Sequence, residues 1–377
     1  MAATEFGLND PETVKLWSRK LAREAFAQTW FKKLVGKEGS EDEDNAIIVE
    51  KTDTKKDAGD EVTCTLRMQL EGDGVLGDAT LEGNEESITT FTDKLVINQL
   101  RHAVRSKGKM SEQRIPWKHR KEAMKGLRDW WSTRWDRCAF VQLCGYTGPR
   151  VVERGEIYSG QDVRYSGNNA TIAPDSTSHY RLDATNGLVS NANDEDLVAA
   201  DTMTLTVLDD LKAEAETRAP IIRPVMFEGE KVYVVILDTF QARDLRTNTN
   251  TGQWQDIQKA AMQGGNVKKN PIFTGALGMY NNMILHSSNR ITQGVNSSTG
   301  ANISTARRAV FLGAGAGMIG FGQGHSLEKY DWHEDLFDYG NQLGVKGGCI
   351  GGLKKTQYDN KDYGCLVLST YAATSAT

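Results

Sequence analysis

The sequence predicts an α+β fold, and three observations carry that expectation. A helical pattern opens the chain, two alternating segments between residues 62 and 97 form a β-arm, and a long helical pattern at 117–143 precedes apolar runs separated by glycine-rich turns. The order is helix, β-arm, long helix, then mixed strands and helices.

The first helix is expected from Asp10 as N-cap and Pro11 at the first helical position, an arrangement that tolerates the missing proline N–H, with Gly36 ending it. Val14, Trp17, Leu21 and Ala25 make one stripe, and Phe26, Trp30 and Leu34 make a second, rotated one. A helix apolar on more than one side needs more than one partner. Two readings stay open: a helix packed on its own core, or an arm lying partly on another subunit.

Residues 36–60 are polar and charged and read as a linker or surface segment with a short apolar interruption at Ile47–Val49. In "VTCTLRMQL", Val62, Cys64, Leu66, Met68 and Leu70 alternate with polar residues, as in a strand with one wet face. The return strand "ITTFTDKLVI" (Ile88–Ile97) changes phase midway, which predicts a bulge. Between them lies "EGDGVLGDATLEGNEES", far longer than the two to five residues of an ordinary hairpin turn. A two-stranded ribbon is marginal alone in water and needs a surface to lie on.

Charge then reverses along the chain. From Glu71 to Asp93 there are seven acidic residues and no Lys or Arg; from Arg101 to Arg128 there are ten Lys or Arg against Glu112 and Glu122. The basic stretch has three readings: a solvated face, a dock for an acidic loop of a neighbouring copy, or a contact with DNA phosphates that reads no bases.

Pro116 opens the longest helix, to about Leu143, with Leu127, Trp131, Trp135, Cys138 and Val141 on one face and a length of about 40 Å. Residues 145–201 are polar and weakly patterned, as a surface insertion or an excursion with short strands would be. A second helix is expected from about Thr202 to Thr217, with Leu205, Leu208, Leu211 and Ala215 inward. "RPVMFEGEKVYVVILD" reads as a hairpin turning near Glu228–Glu230, whose run Val232–Leu237 is covered on both faces. "TFQARDLRT" turns helical, and strand-like runs follow at Ile272–Leu285, Arg308–Leu312, Val345–Leu353 and Cys365–Tyr371.

With 377 residues the chain can bury a substantial core in two or three compact units. A formal net charge of -5 argues against a dedicated nucleic-acid-binding domain, which is basic overall. Five cysteines, odd in number and with no C-x-x-C pair, indicate neither a disulfide framework nor a zinc cluster. The opening "MAATEFGLNDPETVKLW" has no signal-peptide pattern, and no apolar run reaches bilayer length, so folding in a cytoplasm is expected.

Gly315, Gly317 and Gly320 in "VFLGAGAGMIGFG" match G-x-G-x-x-G after a strand, which would make a nucleotide-dependent oxidoreductase the competing class. The context argues against it: more glycines follow where a helix should begin, and the remaining chain is short for a wound sheet. His325, His333, Glu334 and Asp335 match no usual metal-ligand spacing. No nucleophile elbow, P-loop or H-E-x-x-H occurs, so no catalytic residue, cofactor or metal is assigned.

The stretches "FGLNDPETVKLWSRKLAREA", "RMQLEGDGVLGDATLEGNEE", "QLRHAVRSKGKMSEQR", "FQARDLRTN" and "NPIFTGALGMYNNMILH" resemble the major capsid proteins of tailed bacteriophages, in the podovirus group typified by phage N-four. The likeness runs through nearly the whole chain and weakens at 145–200. It implies an HK97-like fold: N-terminal arm (1–50), extended β-hairpin loop (51–100), peripheral domain (101–244, with a spine helix at 117–143), and a mainly axial domain with returning peripheral strands (245–377). It implies a viral structural protein, a homo-oligomer of hexamers and pentamers that self-assembles into the icosahedral capsid of a virion enclosing double-stranded DNA. A tail or decoration protein is the other virion reading. Inter-subunit contacts are expected at Trp17, Trp30, Glu71, Asp73, Asp78, Glu82, Glu85, Glu86, Arg101, Arg105, Lys107, Lys109 and Arg114. Expected partners are other copies, portal, a decoration protein and a separate scaffold protein, since no long helical extension precedes Phe6. Some capsids of this fold form Lys–Asn isopeptide bonds; the tip 71–87 has no lysine, so none is expected there.

Overall fold

A computed structural model describes residues 11–37, 46–52, 59–67, 72–78, 80–190, 193–227, 230–248 and 278–373. Helix α1 (Pro11–Ala27) leads through a 3-10 turn (Trp30–Leu34) to β1 (Val35–Lys37), β2 (Ile48–Lys51) and the ribbon strands β3 (Glu61–Arg67) and β4 (Thr90–Val96). Next come β5 (Asn98–Arg105), the short α2 (Lys109–Gln113) and the long α3 (His119–Leu143). Then follow β6 (Val151–Glu153), β7 (Glu156–Tyr158), β8 (His179–Asp183), β9 (Gly187–Ser190), α4 (Leu205–Thr217), β10 (Val225–Phe227), β11 (Glu230–Asp238) and α5 (Thr239–Thr247). The last stretch holds β12 (Gly278–Tyr280), β13 (Met283–Ser288), β14 (Gln293–Val295), β15 (Asn302–Leu312), β16 (Gly317–Phe321), β17 (Asp331–Phe337), β18 (Gln342–Lys355), β19 (Gln357–Tyr358), β20 (Lys361–Asp362) and β21 (Cys365–Tyr371).

Two large sheets organise these elements. One has the order β1-β2-β16-β18-β17, with β5 along the other side of β18; the second runs β12-β13-β11-β15-β21-β8-β9, with β10 on β11 and β14 on β15. Helix α3 lies in the core between them, where Leu127, Trp131, Trp135 and Phe140 meet Ile319, Phe321 and Val345 of the first sheet and Val234, Ile236, Val310 and Val367 of the second. Its residues Cys138 to Leu143 are all buried, as a helix packed on several sides requires. The opposite face of the second sheet, with Tyr233, Val235, Phe311 and Leu368, packs on Leu205, Leu208 and Leu211 of α4 and on Leu245 of α5. Alternate residues of β11 therefore serve two cores, which accounts for its unbroken apolar run. Helix α5 starts with a capping box: Asp238 accepts from the Phe240 N–H at 2.9 Å while Gln241 Oε1 accepts from the Asp238 N–H at 2.8 Å.

Several sequence expectations need correction. Helix α1 ends at Ala27, not at Gly36; of the second apolar stripe only Phe26 lies on it, and Trp30 and Leu34 belong to the 3-10 turn. Ala46 to Glu50 is not a surface interruption but buried chain, whose strand β2 is held in parallel register by β1 and β16; the charges on either side hid it. Strand β4 has no bulge: it pairs with β3 without a slip from Glu61↔Val96 to Arg67↔Thr90, and Ile88, which suggested the phase change, precedes the strand. Residues 145–200 are not a surface insertion, since β8 pairs in parallel with β21 inside the second sheet and His179 and Asp194 are buried there. Strand pairing runs across residue 244: β10 and β11 join the second sheet with β15 and β21, with α4 packed on it, whereas β16 to β18 join the first beside the long helix. Pairing across the chain, which period and turn signals do not encode, decides that partition.

Candidate inter-subunit surface

The ribbon is half seated and half free. Its base rests on the first sheet of its own chain, where Val62 and Leu95 are buried against Met318, with Cys64 alongside, and Phe91 lies 5.7 Å from the ring of Tyr358. Asp93 points inward on the same face as Phe91 and Leu95; it pairs with Lys354 and accepts from the Gln357 N–H at 3.1 Å. The ribbon base thus finds the surface it needs on its own chain, and it is the tip that stands away from it. Beyond β3 and β4, the described tip residues are almost all exposed, among them Leu76 at 90%, Leu81 at 60% and Ile88 at 60%.

Tip geometry follows from its glycines. Gly74, Gly77 and Gly83 have φ of 72°, 61° and 92°, a region that side chains other than glycine seldom enter. Glu86 accepts from the Gly72 N–H and Glu85 from the Gly83 N–H, each at 2.7 Å, so these two carboxylates help shape the loop. Asp73, Asp78 and Glu82 are exposed on it, and Glu71 lies outside the described residues.

The basic candidates converge on one end of the first sheet. Arg101 and Arg105 are exposed on β5, which has β18 on one side. Arg105 donates through Nε to Gln342 Oε1 at 2.7 Å and lies 4.7 Å from the ring of Phe337. Lys107, Lys109 and Arg114 are exposed on the loop and on α2. The Lys109 N–H donates to Asn341 Oδ1 and Gln342 Nε2 to the Lys107 carbonyl, tying this segment to the β17–β18 turn. That turn brings an apolar set that the sequence reading missed: Leu336 and Phe337, exposed at 46% and 41%, Tyr339, fully exposed, and Met110 of α2 at 67%. Their signal was only a paired "LFDY" at a polar turn, visible as a surface once pairing places it beside Lys107–Met110.

Trp17 stacks on Trp332 at 5.8 Å, and Trp30 lies 5.7 Å from Phe140 and 5.8 Å from His286, so both use their rings within their own chain. Burial of Leu21, Ala22, Ala25 and Phe26 in the same core favours the first of the two readings of the opening helix.

Chemistry finds no site in the places considered. Gly317 and Gly320 lie in strand β16 rather than before a helix, so the phosphate-binding turn does not form. On β17, Glu334 points inward, pairing with Arg120 and accepting from Trp332 Nε1 at 3.0 Å, whereas His333 and Asp335 point outward; they cannot converge on one ion.

Comparison with known proteins gives a consistent result. A family model described as phage capsid protein matches residues 5–374. The major capsid protein of Pseudomonas phage KPP25 is 28% identical over 384 residues, spanning 98% of this chain and 97% of that one. Among solved structures, the capsid of Ralstonia phage GP4 is 32% identical with a TM-score of 0.77 and full coverage of both chains. The capsid asymmetric unit of cyanophage Pam1 shares the fold at 18% identity, with a TM-score of 0.69 over 99% of this chain and 97% of that one.

Proposed function

The chain belongs to the phage capsid protein family, and from that premise we propose how its copies join and what they enclose. It is a major capsid protein of HK97-like fold and builds the head of a tailed bacteriophage by self-association. In the proposed contact, the acidic tip of one copy lies on the basic and apolar end of the first sheet in the next. Leu76, Leu81 and Ile88 meet Phe337, Tyr339 and Met110, while Asp73, Asp78, Glu82, Glu85 and Glu86 face Arg101, Arg105, Lys107, Lys109 and Arg114. The observation that carries this is the tip itself, where large apolar side chains stand in water on an otherwise acidic loop. Opposite potentials across a contact speed encounter and disfavour wrong registers.

The shell would enclose double-stranded DNA and be assembled in the host cytoplasm with a separate scaffold protein, a portal and a decoration protein. The chain would act without catalysis, cofactor or membrane, and without a lysine-mediated crosslink from the tip. The direct test reverses Glu82, Glu85 and Glu86 to lysine together and follows particle formation by electron microscopy. The variant should fold but assemble poorly, and Arg105→Glu with Lys107→Glu should restore part of the loss. Normal shells from the triple variant would remove the proposed contact.

A further inference from the structure

A cleft of about 430 Å³ opens between α3 and the β6–β7 hairpin, with Trp130, Thr133, Arg134, Arg137, Glu156 and Tyr165 in its wall. Arg134 lies between two rings, its guanidinium carbon 4.0 Å from the centroid of Tyr165 and 5.0 Å from that of Trp130. Trp130 in turn stacks on His102 at 4.5 Å, and Arg150 is 5.9 Å from the centroid of Tyr165. Contact through its faces holds the guanidinium plane and leaves its N–H edge available to an acceptor.

The carboxylates nearby are already engaged. Asp129 accepts from Arg128 Nε at 2.9 Å, Glu156 from Arg137 Nε at 2.6 Å and from Arg290 Nε at 3.2 Å, and Asp162 from Arg164 Nη2 at 2.6 Å. Among the described residues, none of these acids is hydrogen-bonded to Arg134 or Arg150. At the back of the cleft, Arg137 is 1% exposed; its Nη1 donates to the Arg290 carbonyl at 2.9 Å, but its Nη2 is buried with no acceptor.

We propose that this cleft binds a phosphodiester group of the enclosed nucleic acid, without regard to base sequence. A tetrahedral phosphate presents oxygens in several directions, matching separate donors: the Arg134 edge and the Thr133 hydroxyl. A carboxylate has two oxygens in one plane and suits a single fork better. Arg150, beside the same Tyr165 ring, supplies further positive charge that a chain of phosphates, unlike a single free ion, would use. The assignment rests on the capsid reading for the presence of nucleic acid, while the cleft is separate from the tip contact.

The test measures binding of a short fluorescent DNA duplex to the purified full-length chain by anisotropy across a series of salt concentrations, with inorganic phosphate and a peptide of residues 71–87 as competitors. Arg134→Gln should weaken binding about tenfold and reduce the log–log salt slope by about one. Arg150→Gln, on the rim, should lower the slope in the same direction, whereas Lys231→Gln should leave it unchanged. Thermal melting checks that each variant is folded. An unchanged slope in both arginine variants overturns the proposal. So does better competition by the acidic peptide than by unlabelled duplex, which would make the cleft a carboxylate dock, or duplex-strength binding by inorganic phosphate alone, which would make it a free-ion site. Particle formation is scored separately on electron micrographs: shells that form while Arg134→Gln loses DNA support the cleft, and a wild-type chain that forms no shells even when co-expressed with the scaffold protein of its phage fails the capsid reading instead.

Discussion

The carbonyl oxygen of Val96 lies where a side chain on Gly352 would stand: a Cβ at that glycine would be 2.1 Å from it. Asn169 clasps the same residue, accepting from the Val96 N–H at 2.9 Å and donating from Nδ2 to its carbonyl at 2.9 Å. On β16, a Cβ at Gly320 would meet Leu95 at 2.9 Å. Gly320, one of the three glycines that resemble a nucleotide fingerprint, thus joins Gly352 in letting the ribbon base approach the sheet closely.

Gly352→Ala should therefore push the end of β4 off β18 and destabilise the chain by about 1–3 kcal/mol, the usual cost of overpacking. Chemical denaturation of the purified chain measures it. A change under about 0.5 kcal/mol would mean that Val96 moves aside freely and the ribbon base is not fixed by this contact.

Asp194 presents a case of charge held by charge. Burial pushes its carboxyl up, but Arg308 beside it, His179 and the Ser369 hydroxyl pull it well below the usual carboxylate range. It accepts from Arg308 Nε at 2.9 Å and from the Val295 N–H at 2.8 Å. A depressed pKa contributes stability that is full above the unfolded value, near 4, and is lost as pH falls through the folded one. Asp194→Ala should cost about 3–5 kcal/mol by leaving Arg308 buried without its partner, and should flatten the acid limb of the stability curve. An unaltered acid limb would show that other carboxylates set it.

The legibility of the sequence divides along the same line. The ribbon, the long helix, α4 and β11 were readable because each carries its own pattern: strict alternation in Val62–Leu66, apolar spacing from Leu127 to Val141 and from Leu205 to Ala215, and the unbroken run Val232–Leu237. The parallel pairing of β8 with β21 and of β2 with β16 was not readable, because parallel partners lie far apart in the chain and no short turn marks them. Nothing in the sequence marks Asp194 and Arg308 as buried, since burial of an ion depends on a partner, and theirs lie 114 residues apart. The acidic and basic halves of the candidate contact were legible as composition, but its apolar centre was not.

Asp136 shows the opposite pH response. Burial, reinforced by the nearby charge of Glu156, pushes its carboxyl up to about 7 although Arg290 and the Trp30 N–H both favour the ionised form. A raised pKa contributes stability that is full below the unfolded value and is lost as pH rises through the folded one. Wild type should accordingly lose stability relative to Asp136→Asn as pH rises from about 4 to 8, by up to a few kcal/mol. A wild type that instead gains on the variant as pH rises would show that the Arg290 pair outweighs burial.

Tyr339 gives the sharpest separation of folding from assembly. Its backbone has φ of 51°, its side chain is fully exposed, and Leu336, Phe337 and Met110 are partly exposed at the same end of the sheet. An aromatic ring held in water contributes little to the stability of its own chain, so Tyr339→Ser should shift the denaturation midpoint by no more than about 0.5 kcal/mol. Aromatic residues at the centre of an interface cost about 2 kcal/mol or more when truncated, which corresponds to roughly a 30-fold weaker contact. Each subunit in a shell would repeat that loss, so the protein concentration at which light scattering first reports particles should rise steeply. Arg105 lies over Phe337, so Phe337→Ser should give the same rise together with a weaker salt dependence of assembly, because the guanidinium loses the ring that orients it. An unchanged assembly threshold in both variants would place the ribbon tip's dock elsewhere on the subunit.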